Sequence, residues 1–331
     1  MTLTINTNVS SIIAQRNLNN ATNSLNQSIE RMSTGYKINH AKDNAAGYSI
    51  SNQWNTQLGS LDVAADNAAT GSDLLTTAEQ TYGLLTEHLQ RIRDLTEQAA
   101  NGTYGSSSLK AIQSEVVARL QEINRIAGNS EFNGIKLMSY TKDGDGSGVT
   151  GNGINLQVGL YANDNSVIKL DVSLFKDASV NGLFNKAMTG MDKIEDSLKA
   201  ANNGTAPDLK TPEGLEIFAA ACSGLNKKDG KFILQGSKDN QANTMLTYLD
   251  QAINEISKRT TAIGAAQNRV DSAISAIDVQ SQNLTSSLST LRDTDVAEES
   301  SNYIQAQILQ QASATLLATA NQTPSIALNL I

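Results

Sequence analysis

Between Ile50 and Ala99 one face of the chain is specified at alternating steps of four and three. The positions are Ile50, Trp54, Gln57, Leu61, Ala64, Ala68, Gly71, Leu75, Ala78, Tyr82, Leu85, Leu89, Ile92, Thr96 and Ala99, with Gln57, Gly71 and Thr96 the only interruptions to an otherwise hydrophobic series. Seven repeats without a slip make a heptad seam, which predicts a single helix about 75 Å long at about 1.5 Å per residue. A second seam of equal length follows the same steps near the other end: Ala242, Leu246, Leu249, Ile253, Ile256, Thr260, Ile263, Gln267, Val270, Ile274, Ile277, Ser281, Leu284, Leu288 and Leu291. Helices this long need a chain free of proline, and the three prolines stand at Pro207, Pro212 and Pro324, outside both seams. Two seams of one length are natural partners.

A shorter helix is predicted after the Gly102–Ser108 turn, carried by Leu109, Ile112, Val116, Arg119, Ile123 and Ile126. The period then drops to two. Ile154, Leu156, Val158 and Leu160 alternate, as do Ile168, Leu170, Val172 and Leu174, and the polar ANDNS between them predicts a hairpin. Residues 176–240 hold two of the prolines and seven glycines, and are expected to form a small surface-exposed insert of mixed α and β structure. The predicted fold is therefore mainly α: a long antiparallel helical bundle built from both halves of the chain, with a β-hairpin and a small inserted α+β domain.

The two ends differ from the seams. Ala14, Leu18, Ala21, Leu25, Ser28 and Met32 form a thin stripe in a segment crowded with Asn, Ser and Gln. At the far end Ile304, Ile308, Ala312, Leu316 and Ala320 return every four residues among Gln and Ala. Neither stripe carries enough apolar surface to offset the entropy of ordering its helix alone. The ends are expected to be loose in a monomer and to order against copies of themselves. Between the first end and the first seam lies SIERMSTGYKINHAKDNAAGYSIS, residues 28–51, which breaks at Thr34-Gly35 and resumes helical pattern near Ala45. The expected organisation is terminal assembly segments at 1–45 and 286–331, a helical rod from 46–175 and 241–285, and the insert at 176–240.

Composition removes several function classes. A formal charge of −8 argues against nucleic acid, which needs a clustered basic face. No apolar run approaches the roughly 18 residues of a membrane span, and MTLTINTNVSS has neither the basic nor the apolar region of a secretory leader. Cys222 stands alone, so no disulfide framework exists, and it reads as a small hydrophobe. His40 and His88 lack ligand partners, so no metal site, cofactor or catalytic group is expected. Asp293, Asp295, Glu298 and Glu299 read as a solvated helix start.

Longer stretches resemble the bacterial flagellins. INTNVSS, IERMSTGYKINHAKDNAAG, LQRIRDLTEQAANG (89–102) and EFNGIKLM (131–138) are similar to that family's N-terminal region. SAISAIDVQSQNLTSSLSTLRDTDVAEESSNYIQAQILQQASATLLATAN is similar to its C-terminal region. Departures are small: Asp43 is followed by Asn44 where the family often has a second Asp, and the chain ends LNLI. The resemblance implies an extracellular subunit of the flagellar filament, a homopolymer exported unfolded by the flagellar apparatus. It further implies an export chaperone and hook-associated and cap proteins as partners. Self-assembly residues are then Leu18, Leu25, Met32, Leu284, Leu288, Leu291, Ile304, Ile308 and Leu316.

In flagellins the arginine and leucine of LQRxRxL and the glutamate of IQxE form the surface read by the vertebrate Toll-like receptor 5; here these are Arg91, Leu95 and Glu115. Arg91 and Leu95, four apart, share a helix face, with Leu95 expected to flank the seam rather than fill it. A hook–filament junction adaptor is the alternative of similar layout. A translocator or adhesin would need a membrane-inserting or binding module, and an enzyme a motif in the insert; neither is seen.

Overall fold

The computed structural model describes residues 8–138, 153–184, 208–228, 231–234 and 241–328. They fall into two compact units, Met1–Ser60 with Val279–Ile331 and Leu61–Asp278. Two long helices, α2 (Ala45–Ala100) and the later α6 (Gln241–Arg292), contribute to both.

In the first unit α1 (Val9–Thr34) starts at Asn8, whose Oδ1 accepts from the Ser11 amide at 3.0 Å, and stops at Gly35. Gly35 has φ +77°, a left-handed conformation that glycine adopts freely, and its amide donates to the Arg31 carbonyl. The last helix, α7 (Val296–Leu328), starts after Asp295, whose Oδ1 accepts from the Ala297 and Glu298 amides at 2.8 and 3.3 Å. The acidic cluster is thus a helix cap, and Glu299 pairs inward with Arg31 at 3.6 Å. Asn8 Nδ2 donates to the Ala320 carbonyl, and Gln310 Nε2 to Thr22 Oγ1. Rising positions on α1 meet falling ones on α7, so the pair is antiparallel.

The seam of this pair is made of small and polar residues. α1 buries Ala14, Ala21 and Ser28 with Leu18 and Leu25 half-buried, while Met32, expected in the stripe, is exposed. α7 buries Glu299, Ala306 and Ser313, with Tyr303, Gln310 and Leu317 half-buried. These seven-residue repeats fit close helix approach but bury little area.

In the second unit α2 and α6 run antiparallel: Arg93 Nε pairs with Asp250 at 2.6 Å, and Gln267 Nε2 donates to Glu79 at 2.9 Å. From Leu61 to Ala99 every position of the first predicted seam is buried. Its start is one residue out of register, since Ser51 is buried where Ile50 is exposed. In α6 alternate positions shift. Ala242, Leu249, Ile256, Ile263 and Val270 are buried as expected, but their companions are Met245, Ala252, Arg259 and Ala266, while Leu246, Ile253, Thr260 and Gln267 are half-buried. A helix with more than one neighbour presents a face wider than a two-column seam, and the true centre of that face lies between the predicted columns. α3 (Ser106–Asn129) shows the same one-residue shift, burying Leu120 and Ala127 rather than Arg119 and Ile126.

Two antiparallel strand pairs follow. β1 (Glu131–Phe132) and β2 (Ile135–Lys136) turn through Asn133-Gly134, both with positive φ, as a tight hairpin turn requires. β3 (Ile154–Gln157) pairs with β4 (Val167–Leu170) in register Ile154↔Leu170 to Gln157↔Val167. The predicted hairpin is present but shorter. Val158 and Leu160 lie beyond β3, and Val172–Phe175 is a 3-10 turn. Leu156 seats against Gly71 where any Cβ would collide, so the interruption in the α2 seam is the place where the hairpin docks.

The described part of 176–240 belongs to the second unit. It comprises α4 (Val180–Phe184), α5 (Pro212–Cys222), and β5 (Leu225–Lys228) paired with β6 (Lys231–Leu234). Pro212 opens α5 behind the Thr211 cap rather than breaking a helix. α5 is not surface-exposed: Leu215, Ile217 and Phe218 through Cys222 are buried, the Phe218 ring packs tilted at 57° against Phe184 with centroids 4.7 Å apart, and Gln113 of α3 donates to the Glu216 carbonyl. Burial pushes the Cys222 thiol up to about 12, beside Thr96, which explains the polar interruption at that level of α2. A thiol reagent at pH 8 is expected to label native protein at least ~100-fold more slowly than unfolded chain. Labelling at the unfolded rate would contradict a closed α5.

Candidate assembly interface

Most of the large aliphatic side chains of α1 and α7 lie outside their shared seam, Leu18, Leu25 and Leu317 excepted. Val9, Ile12, Ile13 and Ile29 on α1, and Val296, Ile304, Ile308, Leu309 and Leu316 on α7, are 46–61% exposed. Ser301, Ile304, Gln305, Ile308 and Leu309 line a shallow cavity of about 380 Å³. The usual distribution is inverted here: alanine and serine inside, isoleucine and leucine outside. Full burial of one such aliphatic side chain stabilises by roughly 1.5–3 kcal/mol, so this face leaves a large gain unrealised in a single chain. Contiguous exposed apolar surface of this kind marks an interaction site.

Of the sequence-predicted assembly residues, Ile304, Ile308 and Leu316 lie on that outer face and Met32 is exposed. Leu18 and Leu25 are half-buried in the α1–α7 seam, and Leu284, Leu288 and Leu291 are half-buried on α6. Val9, Ile12, Ile13, Ile29 and Leu309, equally exposed, were not singled out from the sequence. Their signal was present, as apolar residues off the repeat in a polar segment.

The junction after α1 is built, not slack. Lys37 N donates to the Arg292 carbonyl at 2.7 Å and Thr294 N to the Gly35 carbonyl at 2.9 Å, around a Tyr36–Asp293 bridge. The Arg292 guanidinium lies 4.0 Å over the Tyr36 ring. The His40 amide, and with it that of Asn39, donates to Asp43 and holds its carboxyl below the usual range. Asn44 caps α2 through the Gly47 amide. The breaks between α1 and α2 and between α6 and α7 are therefore stitched to each other within the first unit.

On the second unit Arg91 and Glu115 come together, Nε to Oε1 at 3.0 Å, and both are partly exposed. Arg119 approaches the same carboxylate at 3.6 Å, and its Nη1 lies 3.3 Å from His88 Nδ1. Leu95 corrects the sequence reading: it is 3% exposed and fills the core, because the buried face of α2 is wider than the predicted seam. Among the described residues no group of His, Cys, Asp and Glu could hold a metal ion, and no helix is long and apolar enough to cross a membrane.

The comparisons with known proteins converge. Residues 5–143 match the model for the bacterial flagellin N-terminal helical region, and residues 246–331 that for the C-terminal helical region. The chain belongs to the bacterial flagellin family. It is similar to polar flagellin A of Vibrio parahaemolyticus (35% identity) and flagellin B of Vibrio cholerae (34%), each alignment covering 100% of both chains. It is also similar to the crystal structure of Bacillus cereus flagellin, at 22% identity and a TM-score of 0.40 over 67% of this chain and 94% of that one. This flagellin is a structural protein, a subunit of the flagellar filament, and not an enzyme.

Proposed function

We propose that this flagellin polymerises by burying the outer faces of α1 and α7 against neighbouring copies, and that these helices gain most of their order in doing so. The exposed aliphatic face over a seam of alanine and serine is the observation that carries the reading. Two different apolar faces on one chain favour heterologous contacts, which build an open helical array when the rotation does not close. Ile304, Ile308, Leu316 and Met32 supply contact area, Leu18 and Leu25 hold α1 to α7, and Leu284, Leu288 and Leu291 carry the assembly segment onto α6. Segments 1–45 and 286–331 then form the filament core. Seeding purified full-length protein with filament fragments and following length by electron microscopy tests this. Growth is expected, and a chain that stays monomeric with seeds would refute it.

The family resemblance extends the proposal to an extracellular filament, export with a chaperone, and growth against hook-associated and cap proteins. It also supports recognition by Toll-like receptor 5 through Arg91 and Glu115, with Leu95 holding α2 in place from beneath rather than touching the receptor. In the filament the same charged surface makes subunit contacts. Arg91→Ala or Glu115→Ala in soluble monomer is expected to lower receptor activation about tenfold, the scale of a modest hot spot. Unchanged activation by both variants would remove this part of the reading.

A further inference from the structure

We propose that Asn101 is a self-modification site, whose side-chain amide is converted to aspartate and isoaspartate by attack of the Gly102 backbone nitrogen. An Asn-Gly pair suits this chemistry because glycine has no Cβ to keep its amide away from the preceding side chain. Whether the pair reacts depends on what holds it. Asn101 and Gly102 follow the last residue of α2, and both are exposed. The Asn101 N–H donates to the Gln98 carbonyl at 3.3 Å, a long contact. Neither the Asn101 side chain nor the Gly102 N–H has a hydrogen-bond partner among the described residues. A Cβ on Gly102 would meet nothing within 4 Å. Nothing therefore resists the rotation that brings the Gly102 nitrogen against Asn101 Cγ, the geometry from which the ring closes.

Two other Asn-Gly pairs are held back. Asn133 and Gly134, with φ +50° and +80°, form the tight turn that pairs Phe132 with Ile135. Turning the Gly134 nitrogen toward the Asn133 side chain would part those strands. Gly182 is buried in α4, and its N–H donates to Ser179 Oγ at 3.2 Å, so the nitrogen after Asn181 is occupied. At Asn101 the step balances without oxidant or cofactor. Hydroxide takes the Gly102 amide proton, the nitrogen bonds to Asn101 Cγ, and the Cγ–Nδ2 bond breaks to release ammonia. Water then opens the cyclic imide, at Cγ to give aspartate or at the main-chain carbon to give isoaspartate. The new carboxylate lies just past the C-terminal end of α2, where the helix dipole is already negative and the last turn holds no basic residue. An aged chain is thus more acidic than a fresh one and frays first at this turn.

The test is a time course of full-length monomer at pH 8 in heavy-oxygen water, read by peptide mass spectrometry at each pair with isoaspartate separated by chromatography. Asn101 is expected to react at least ~10-fold faster than Asn133 and Asn181, a ratio equivalent to a barrier difference of about 1.4 kcal/mol. Its product should include isoaspartate and carry one oxygen from the water. In urea, where the turn and α4 are lost, the three rates should converge. Gly102→Ala fits the open space and meets no positive φ, so it should keep the thermal midpoint while slowing Asn101 at least ~10-fold. Equal rates at the three pairs in native protein would overturn the proposal, as would a ratio that persists in urea. A product without isoaspartate, or Gly102→Ala reacting at the native rate, would overturn the attack by the Gly102 nitrogen.

Discussion

Replacing Ile304 and Ile308 together by Asp yields a monomer that folds as before and does not grow filaments. In the single chain the two side chains are 54 and 60% exposed, so the exchange removes almost no packing and costs the monomer about 0.5 kcal/mol or less per site. In a contact with neighbouring copies the same positions are dry. Each carboxylate then has to be desolvated without a partner, a cost of several kcal/mol, and the aliphatic burial is lost as well. The expected result is a critical concentration raised at least ~100-fold, which is about 2.7 kcal/mol per subunit added. Light scattering after seeding measures it, and thermal unfolding of the unseeded protein checks the fold. Growth at the native critical concentration would show that this face of α7 is not a contact.

Arg259→Ala should destabilise the second unit by about 3 kcal/mol. The guanidinium is 3% exposed and its Nη1 donates to the carbonyls of Lys176 and Asp177 at 3.2 and 3.3 Å. Its Nε lies 3.4 Å from Glu255, and Tyr82 of α2 reaches the same stretch of chain, donating to the Leu174 carbonyl at 2.9 Å. Arg259 and Tyr82 thus fasten the segment that leaves the hairpin to the two long helices. Truncation leaves two carbonyls without donors, a carboxylate without its partner, and a cavity. Arg259→Met keeps most of the volume and should cost less, since Nη2 has no hydrogen-bond partner to lose. Urea midpoints of the two variants decide it. A loss below 0.5 kcal/mol for Ala would mean that the segment is held by other contacts.

What the sequence made legible was the long period. The breaks at Thr34-Gly35 and Ala45, both long helices and the hairpin alternation were all readable, because each depends on local pattern and on the absence of proline. The errors are of one kind. Leu246 was taken for core where Met245 is, Ile126 where Ala127 is, and Leu95 was placed beside a seam that it fills. A heptad pattern describes a helix with one partner, whereas these helices have several, and the number of neighbours is not written in a local period. α5 was invisible for another reason: Leu215 and Ile217 through Cys222 form a short, nearly continuous apolar run, and a helix buried on most sides shows no one-sided period. At the ends the apolar stripe of Ile304, Ile308 and Leu316 was plain. That it faces outward, over a second and smaller repeat of Glu299, Ala306 and Ser313, emerged only from the pairing with α1.

Hydrogen exchange on the same protein as monomer and as seeded polymer tests the central claim most directly. A helix pair held by alanine and serine has little local stability, while α2 and α6 share a core of Tyr82, Leu85, Leu89, Ile92 and Ile256. Amides of 9–34 and 296–328 should exchange quickly in the monomer and be strongly protected in the polymer, with those of 61–99 and 242–277 slow in both. Equal protection of the terminal helices in the two states would contradict assembly through their outer faces.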